Sequence, residues 1–116
     1  MANWTVRLSA AAAADYREIL RWTKERFGAE QARVYAGTLS SALTDLAAGP
    51  AISGAKERPE IGANIRTLHV SRKGRKGRHF ILYRVALLPQ QNVIDVLRLL
   101  HDGMDLARHL PPDEQN

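Results

Sequence analysis

The sequence predicts an α+β fold: an N-terminal strand, an αα-hairpin packed on a mostly antiparallel sheet, and a short C-terminal helix. Two observations carry this prediction. The first half of the chain contains two long segments with apolar residues at helical spacing, and the second half contains three apolar runs with strand character. Because 116 residues leave room for one core, we expect a single domain over residues 1–116, with a tail at 111–116.

The chain begins with a predicted strand and a predicted helix. Residues 4–8 include Trp, Thr and Val, which favour strands, and Ser9 is a suitable N-cap for the segment that follows. That segment carries an apolar helical stripe from Ala12 to Phe27. Gly28 is the expected end of the helix, since glycine accepts a left-handed backbone at little cost.

A second helix of about five turns is predicted to follow at once. Its apolar side chains fall on one face between Ala32 and Leu46, and Gly49-Pro50 ends the pattern. Since only a few residues separate the two helices, we expect them to lie antiparallel as a hairpin.

The second half of the chain is predicted to supply the rest of the sheet. Residues 50–62 are rich in Pro and Gly, show no period and are expected to form a long loop. Short connectors at 71–78 and 86–91 favour antiparallel strands. The three strands are expected at NIRTLHV (64–70), HFILYRV (79–85) and NVIDVLRLL (92–100). A short helix is expected from Gly103 to about Leu110.

Composition excludes several classes of protein. The chain has no cysteine, which removes disulfides, thiolate metal sites and a cysteine nucleophile, and suits a reducing compartment. No apolar run approaches the ~20 residues needed to cross a bilayer. We therefore expect a cytoplasmic protein that does not enter a membrane.

The positive charge is concentrated in one part of the chain. The net charge is +5, and no Asp or Glu occurs from Ile61 to Ile94. Such a region attracts a polyanion or an acidic protein, although it is also compatible with a solvated loop. Within SRKGRKGR (71–78, the basic loop) five cations form a candidate partner- or anion-binding site: Arg72, Lys73, Arg75, Lys76 and Arg78. Because the loop holds no aromatic residue for base stacking and no groove-reading helix, we do not expect specific nucleic-acid binding.

An acid–base site is the enzymatic alternative. Metal-free RNA cleavage needs a base, an acid and cations, and His101, Tyr83 and Arg84 are suitable residue types. No motif fixes their geometry, and Tyr83 on a central strand is equally suited to a core position. The histidine spacings match no standard zinc pattern, so we expect neither a metal nor a cofactor.

The chain resembles the ParE/RelE superfamily of bacterial type II toxins, and within it the ParE branch. The resemblance extends from Val6 to Leu110 and includes RFG at the end of the first helix and YRV at 83–85. Its most specific part is the C-terminal motif formed by Leu100, His101, Met104, Asp105, Arg108, His109 and Leu110.

The resemblance implies a toxin that traps DNA gyrase on cleaved DNA and is neutralised by a ParD-like antitoxin in a hetero-oligomer. RelE-like relatives are instead ribosome-dependent mRNA endonucleases, which use an arginine early in the third strand. Here Phe80 and Ile81 occupy that neighbourhood, with Arg78 before it and Arg84 after it. We therefore expect no intrinsic catalysis and interpret His101 and Asp105 as structural. The endonuclease and a nucleic-acid-binding module using the basic loop are kept as alternatives.

Overall fold

The computed structural model describes residues 4–86 and 91–104. The elements in chain order are β1 (Thr5–Leu8), α1 (Ala10–Phe27), α2 (Ala29–Asp45), a 3-10 turn (Leu46–Ala48), β2 (Lys56–Glu57), β3 (Ile65–His69), β4 (His79–Val85) and β5 (Val93–His101). The strands form one sheet in the order β1-β5-β4-β3-β2. β1 is parallel to β5 and every other pairing is antiparallel, which confirms the predicted α+β class.

The helical hairpin forms as the sequence predicts. The Ser9 hydroxyl accepts a hydrogen bond from Ala12 N–H at 3.0 Å and thereby caps α1. Gly28, at φ 96°, is the single residue between the helices. Tyr16 and Ser40, equally far from Gly28, have hydroxyls 2.9 Å apart, so the helices lie antiparallel. In the described part of the chain, neither helix is long and apolar enough to cross a membrane.

The main core lies between the hairpin and one face of the sheet. Its large, fully buried side chains are Leu39, Leu46, Leu68, Val70, Ile81, Tyr83, Ile94 and Val96. Burying one such aliphatic side chain stabilises a fold by about 1.5–3 kcal/mol. A second, smaller cluster contains Ile65, Leu82, Leu97 and Leu100, with Ile61 packed against it. The sheet thus carries buried apolar side chains on both faces.

Two expectations about local structure need comment. The segment 50–62 was expected to be a loop throughout, but it contains β2, which pairs with β3 through Lys56↔Thr67 and Glu57↔Arg66. A two-residue strand is too short to show a period, and it exists because the edge of β3 offers partners. Most of the expected C-terminal helix, residues 105–110, and the tail at 111–116 lie outside the described residues.

Candidate interaction groove and the histidine cluster beside it

The first half of the basic loop is anchored to the fold. The Arg72 guanidinium donates to Asp45 Oδ2 at 3.0 Å and to Ser53 O at 2.7 Å, and Lys73 Nζ lies 3.2 Å from Asp45 Oδ1. Burial opposes ionisation of Asp45, but the hydrogen bonds from Lys73 and Arg72 outweigh it and lower the pKa of Asp45. Arg72 and Lys73 therefore hold the loop to the end of α2.

A tight turn follows this anchor. Lys73 and Gly74 both have positive φ, 53° and 79°, and Arg75 N–H donates to Arg72 O at 3.0 Å. Positive φ at both central positions with this hydrogen bond is the signature of a type I′ turn. The turn reverses the chain so that the second half of the loop runs back toward the helical hairpin.

The second half of the loop lines a groove of about 950 Å³ against the hairpin tip. Arg75, Lys76 and Arg78 form one side of it. Trp22, Phe27 and Val34 form the other side and are 51%, 61% and 55% exposed. Among the groove's described lining residues there is no Asp or Glu. We call this surface the aromatic–cationic groove.

Gly77 brings the loop backbone against the hairpin. A Cβ at this position would lie 2.5 Å from Val70 Cγ2 and 3.0 Å from the Tyr35 hydroxyl. Only glycine fits without moving a buried valine. The close contact fixes the distance between the two sides of the groove.

Tyr35 and His79 form a hydrogen-bonded pair that lines the groove. Arg78 N–H donates to the Tyr35 hydroxyl at 3.1 Å, and the same hydroxyl shares a 2.6 Å hydrogen bond with His79 Nδ1. Burial, followed by the nearby His101, lowers the pKa of His79 to about 4, and burial raises the pKa of Tyr35. Both members of the pair are therefore neutral at physiological pH.

His69, Asp102 and Arg78 form a second network. Ser71 N–H donates to His69 Nδ1 at 3.0 Å, which leaves Nε2–H to donate to Asp102 Oδ2 at 3.0 Å. Arg78 Nε lies 3.3 Å from Asp102 Oδ1, and its side chain is 73% exposed. The hydrogen bond from His69, helped by Arg78, lowers the pKa of Asp102. The network links the ends of β3 and β5 and orients Arg78.

The structure does not bring together the three residues of the predicted acid–base alternative. Tyr83 is 0% exposed, donates to Pro50 O at 2.7 Å, and has its pKa raised to about 12 by burial. Arg84 follows it on β4 and therefore projects from the opposite face of the sheet. His101 pairs with His79, about 13 Å along β4 from Tyr83. His101 instead lies beside His79, at 5.6 Å between ring centroids, and Asp102, whose Oδ1 is 3.7 Å from His101 Nδ1. Gly103 N–H donates to the same nitrogen.

The sequence analysis did not identify the hairpin side of the groove. It included Phe27 in the apolar stripe of the first helix, and the structure shows that this side chain, the last of α1, is exposed. Trp22 and Val34 lie outside the predicted apolar stripes. Large apolar side chains on a polar helix face indicate an interaction surface, and this signal could have identified them. No pattern in the sequence predicted the pairing of Tyr35 with His79, because the two residues are 44 positions apart.

Two further predictions from the sequence concern the C-terminal motif and metal binding. Of the resemblance motif, Leu100 is buried, and His101 and Met104 are exposed. The other members lie outside the described residues: Asp105, Arg108, His109 and Leu110. Within residues 4–86 and 91–104, no group of three or more His, Asp or Glu side chains could hold a metal ion.

Comparison with known proteins identifies the family. Residues 6–106 match the family described as the ParE toxin of the type II toxin-antitoxin system parDE. The chain belongs to this family. Toxin ParE1 of Mycobacterium tuberculosis is 38% identical over 103 residues, which cover 89% of this chain and 94% of that protein. Toxin ParE1 of Caulobacter vibrioides is 31% identical over 104 residues, covering 90% and 95%.

Two solved structures share the fold of this ParE-family chain. A chain of the chromosomal ParDE system from P. aeruginosa superposes with a TM-score of 0.66 at 20% identity, covering 87% of this chain and 98% of the other. A chain of the toxin-antitoxin complex RelBE2 from Mycobacterium tuberculosis gives a TM-score of 0.54 at 22% identity, covering 85% and 98%. The fold is therefore common to ParE- and RelE-type proteins, and the fold alone does not separate their activities.

Proposed function

We propose that this ParE-family toxin inhibits DNA gyrase and blocks replication in the bacterial cytoplasm. The observation that carries the proposal is the match of residues 6–106 to the ParE toxin family, together with ParE1 relatives over about nine-tenths of the chain. In this proposal the toxin stabilises gyrase on cleaved DNA by binding, and it breaks no bond itself.

The positions of the candidate catalytic residues support a non-enzymatic toxin. Tyr83 is buried and hydrogen-bonded in the core, and Arg84 and His101 lie on different parts of the sheet. The Tyr35–His79 pair offers poor acid–base chemistry, because a histidine with a pKa of about 4 is a weak base at neutral pH. The alternative, a RelE-like mRNA endonuclease, would require another arrangement of these groups on the ribosome.

A ParD-like antitoxin is the proposed partner that neutralises the toxin. The related solved chains come from a ParDE system and from a RelBE2 toxin-antitoxin complex, which supports a hetero-oligomer here. The net charge of +5 favours an acidic docking region on the antitoxin, since complementary charge speeds and orients association.

The direct test uses purified gyrase, supercoiled plasmid and ATP with increasing toxin, followed by detergent and protease treatment. We expect linear plasmid to accumulate with toxin, and excess of the protein encoded beside the toxin to suppress it. Full supercoiling and no linear DNA with a folded toxin would overturn the proposal. An mRNA cleavage pattern on translating ribosomes that is lost in His101→Ala would establish the endonuclease instead.

A further inference from the structure

We propose that the aromatic–cationic groove binds an unpaired nucleic-acid strand, with bases stacked on Trp22 and Phe27 and phosphates held by Arg75, Lys76 and Arg78. This inference goes beyond gyrase inhibition, and strand binding can be measured with the toxin alone, without gyrase. The basic loop itself contains no aromatic residue on which a base could stack. Folding places two aromatic rings from α1 on the other side of the groove.

The two rings form an exposed stacking surface. Trp22 and Phe27 are edge-to-face, with centroids 5.8 Å apart, and both side chains are more than half exposed. The Arg26 guanidinium lies 5.5 Å from the centre of the Trp22 ring, which adds positive charge beside the platform. Exposed aromatic rings next to cations are the usual means by which proteins hold single strands without reading their sequence.

The cations that face the rings are available to phosphates. In the described part of the chain, the Arg75 and Lys76 side chains make no ion pair, and Arg78 remains largely exposed beside Asp102. Arg72 and Lys73 differ, because both already pair with the carboxylate of Asp45. The binding site thus uses three of the five loop cations, and the other two position the loop.

The lining of the groove favours a single strand over an acidic peptide or a duplex. The polar side chains of Gln31 and Ser71, which suit base edges, also line the groove. Paired bases are buried in a duplex and do not stack on side chains, so the rings would contribute nothing to duplex binding. An acidic peptide would pair with the three loop cations, but it has no bases to stack on the two rings, which would add only apolar contact.

Trp22 provides a built-in signal for the test. The chain has two tryptophans, so a full-length Trp4→Phe variant reports emission from the groove alone. This variant is titrated with an oligothymidylate of about 12 nucleotides, an abasic strand of equal length, a duplex and an acidic peptide. We expect saturable quenching by oligothymidylate and much weaker binding of the abasic strand, with a log–log salt slope of about −2 from three phosphate contacts.

Matched variants separate the two contributions, with anisotropy of labelled oligothymidylate as the readout and circular dichroism as the check of folding. Phe27→Ala is expected to weaken binding about 5- to 150-fold, and Leu8→Ala, at an exposed position on β1 outside the groove, to leave it unchanged. Lys76→Ala is expected to reduce the salt slope by about 0.7 and Lys73→Ala to leave it unchanged.

Several results would overturn the proposal. Equal affinity for the abasic strand would mean that bases do not stack, and a preference for the acidic peptide would assign the groove to a protein. Equal effects of Lys73→Ala and Lys76→Ala, or no binding of oligothymidylate by the folded protein, would also contradict it.

Discussion

The two halves of the basic loop carry charge of the same sign but lie in different surroundings. Arg72 and Lys73 contact Asp45, and the Arg72 and Asp45 side chains are only 15% and 19% exposed. Arg75, Lys76 and Arg78 instead border an exposed groove. The difference shows that a run of cations is not one functional unit. Because Asp45 at the end of α2 pairs with the first two cations, those two hold the loop to the fold. The other three are available to a partner.

The largest effect on stability is expected from removing the anchor. Asp45→Ala leaves the mostly buried Arg72 without its carboxylate, which should lower the free energy of unfolding by about 2–3 kcal/mol. Glu18→Ala is the control, because its ion pair with Arg21 is exposed on α1 and should change stability by less than about 1 kcal/mol. Urea denaturation measures both, and equal losses would show that Asp45 is not an anchor.

The two glycines of the loop distinguish crowding from backbone strain. Gly77→Ala forces a methyl group against Val70 and Tyr35 and should cost about 2 kcal/mol. Gly74→Ala meets no atom within 4 Å but keeps a positive φ, so it should cost about 1 kcal/mol. Thermal unfolding ranks the two variants. A larger loss for Gly74→Ala would mean that the turn, and not the contact at Gly77, limits the loop.

Acid should first lower the stability of the protein through His79, which lies beside the groove. The pKa of His79 is about 4 in the folded state and about 6.5 unfolded, so only the unfolded chain takes up this proton between those values. Stability should therefore fall as pH drops from about 6.5 to 4. Discounted for solvent screening, the loss is about 1–2 kcal/mol.

The contribution of Asp102 has a different pH window. Its pKa is lowered from 3.8, so its stabilisation is present above that value and is lost only as pH falls below it. Urea midpoints from pH 7 to 3 should resolve the two steps, and His79→Asn should flatten the first step alone. An unchanged first step in that variant would show that another group titrates there.

The smallest stability effects are expected for single lysines of the loop. Lys73→Ala removes an exposed ammonium, and Asp45 keeps its ion pair with Arg72. Lys76→Ala removes no ion pair within the described part of the fold. Both should change the free energy of unfolding by less than about 1 kcal/mol. A loss above about 2 kcal/mol for Lys76→Ala would place this side chain in the fold and not at the groove.

Local patterns were enough to predict most of the fold. Ser9, Gly28 and the three apolar runs mark the ends of α1 and the positions of β3, β4 and β5, because each signal lies within a few residues of the element it predicts. The strand β2 was not predictable in this way, since it depends on pairing with β3. The exposure of Phe27 was not predictable either, because helical spacing shows which face of a helix is apolar but not how far along the helix that face is covered.

The candidate site depended on contacts between distant residues. Asp45 meets Arg72 across 27 positions and Tyr35 meets His79 across 44, so neither the anchor nor the neutral pair could be identified from the loop sequence. The same limit explains why Trp22 and Phe27 were not associated with the basic loop. The charge of the region was predictable, but its division into anchored and exposed halves was not.

The most direct measurement is the amount of linear plasmid that gyrase releases at increasing concentrations of wild-type, Lys73→Ala and Lys76→Ala toxin. The wild type and Lys73→Ala are predicted to produce linear DNA at the same half-maximal concentration, and Lys76→Ala to require a several-fold higher one. No linear DNA with the wild type would contradict gyrase inhibition. Equal half-maximal concentrations for all three proteins would contradict the functional division of the basic loop.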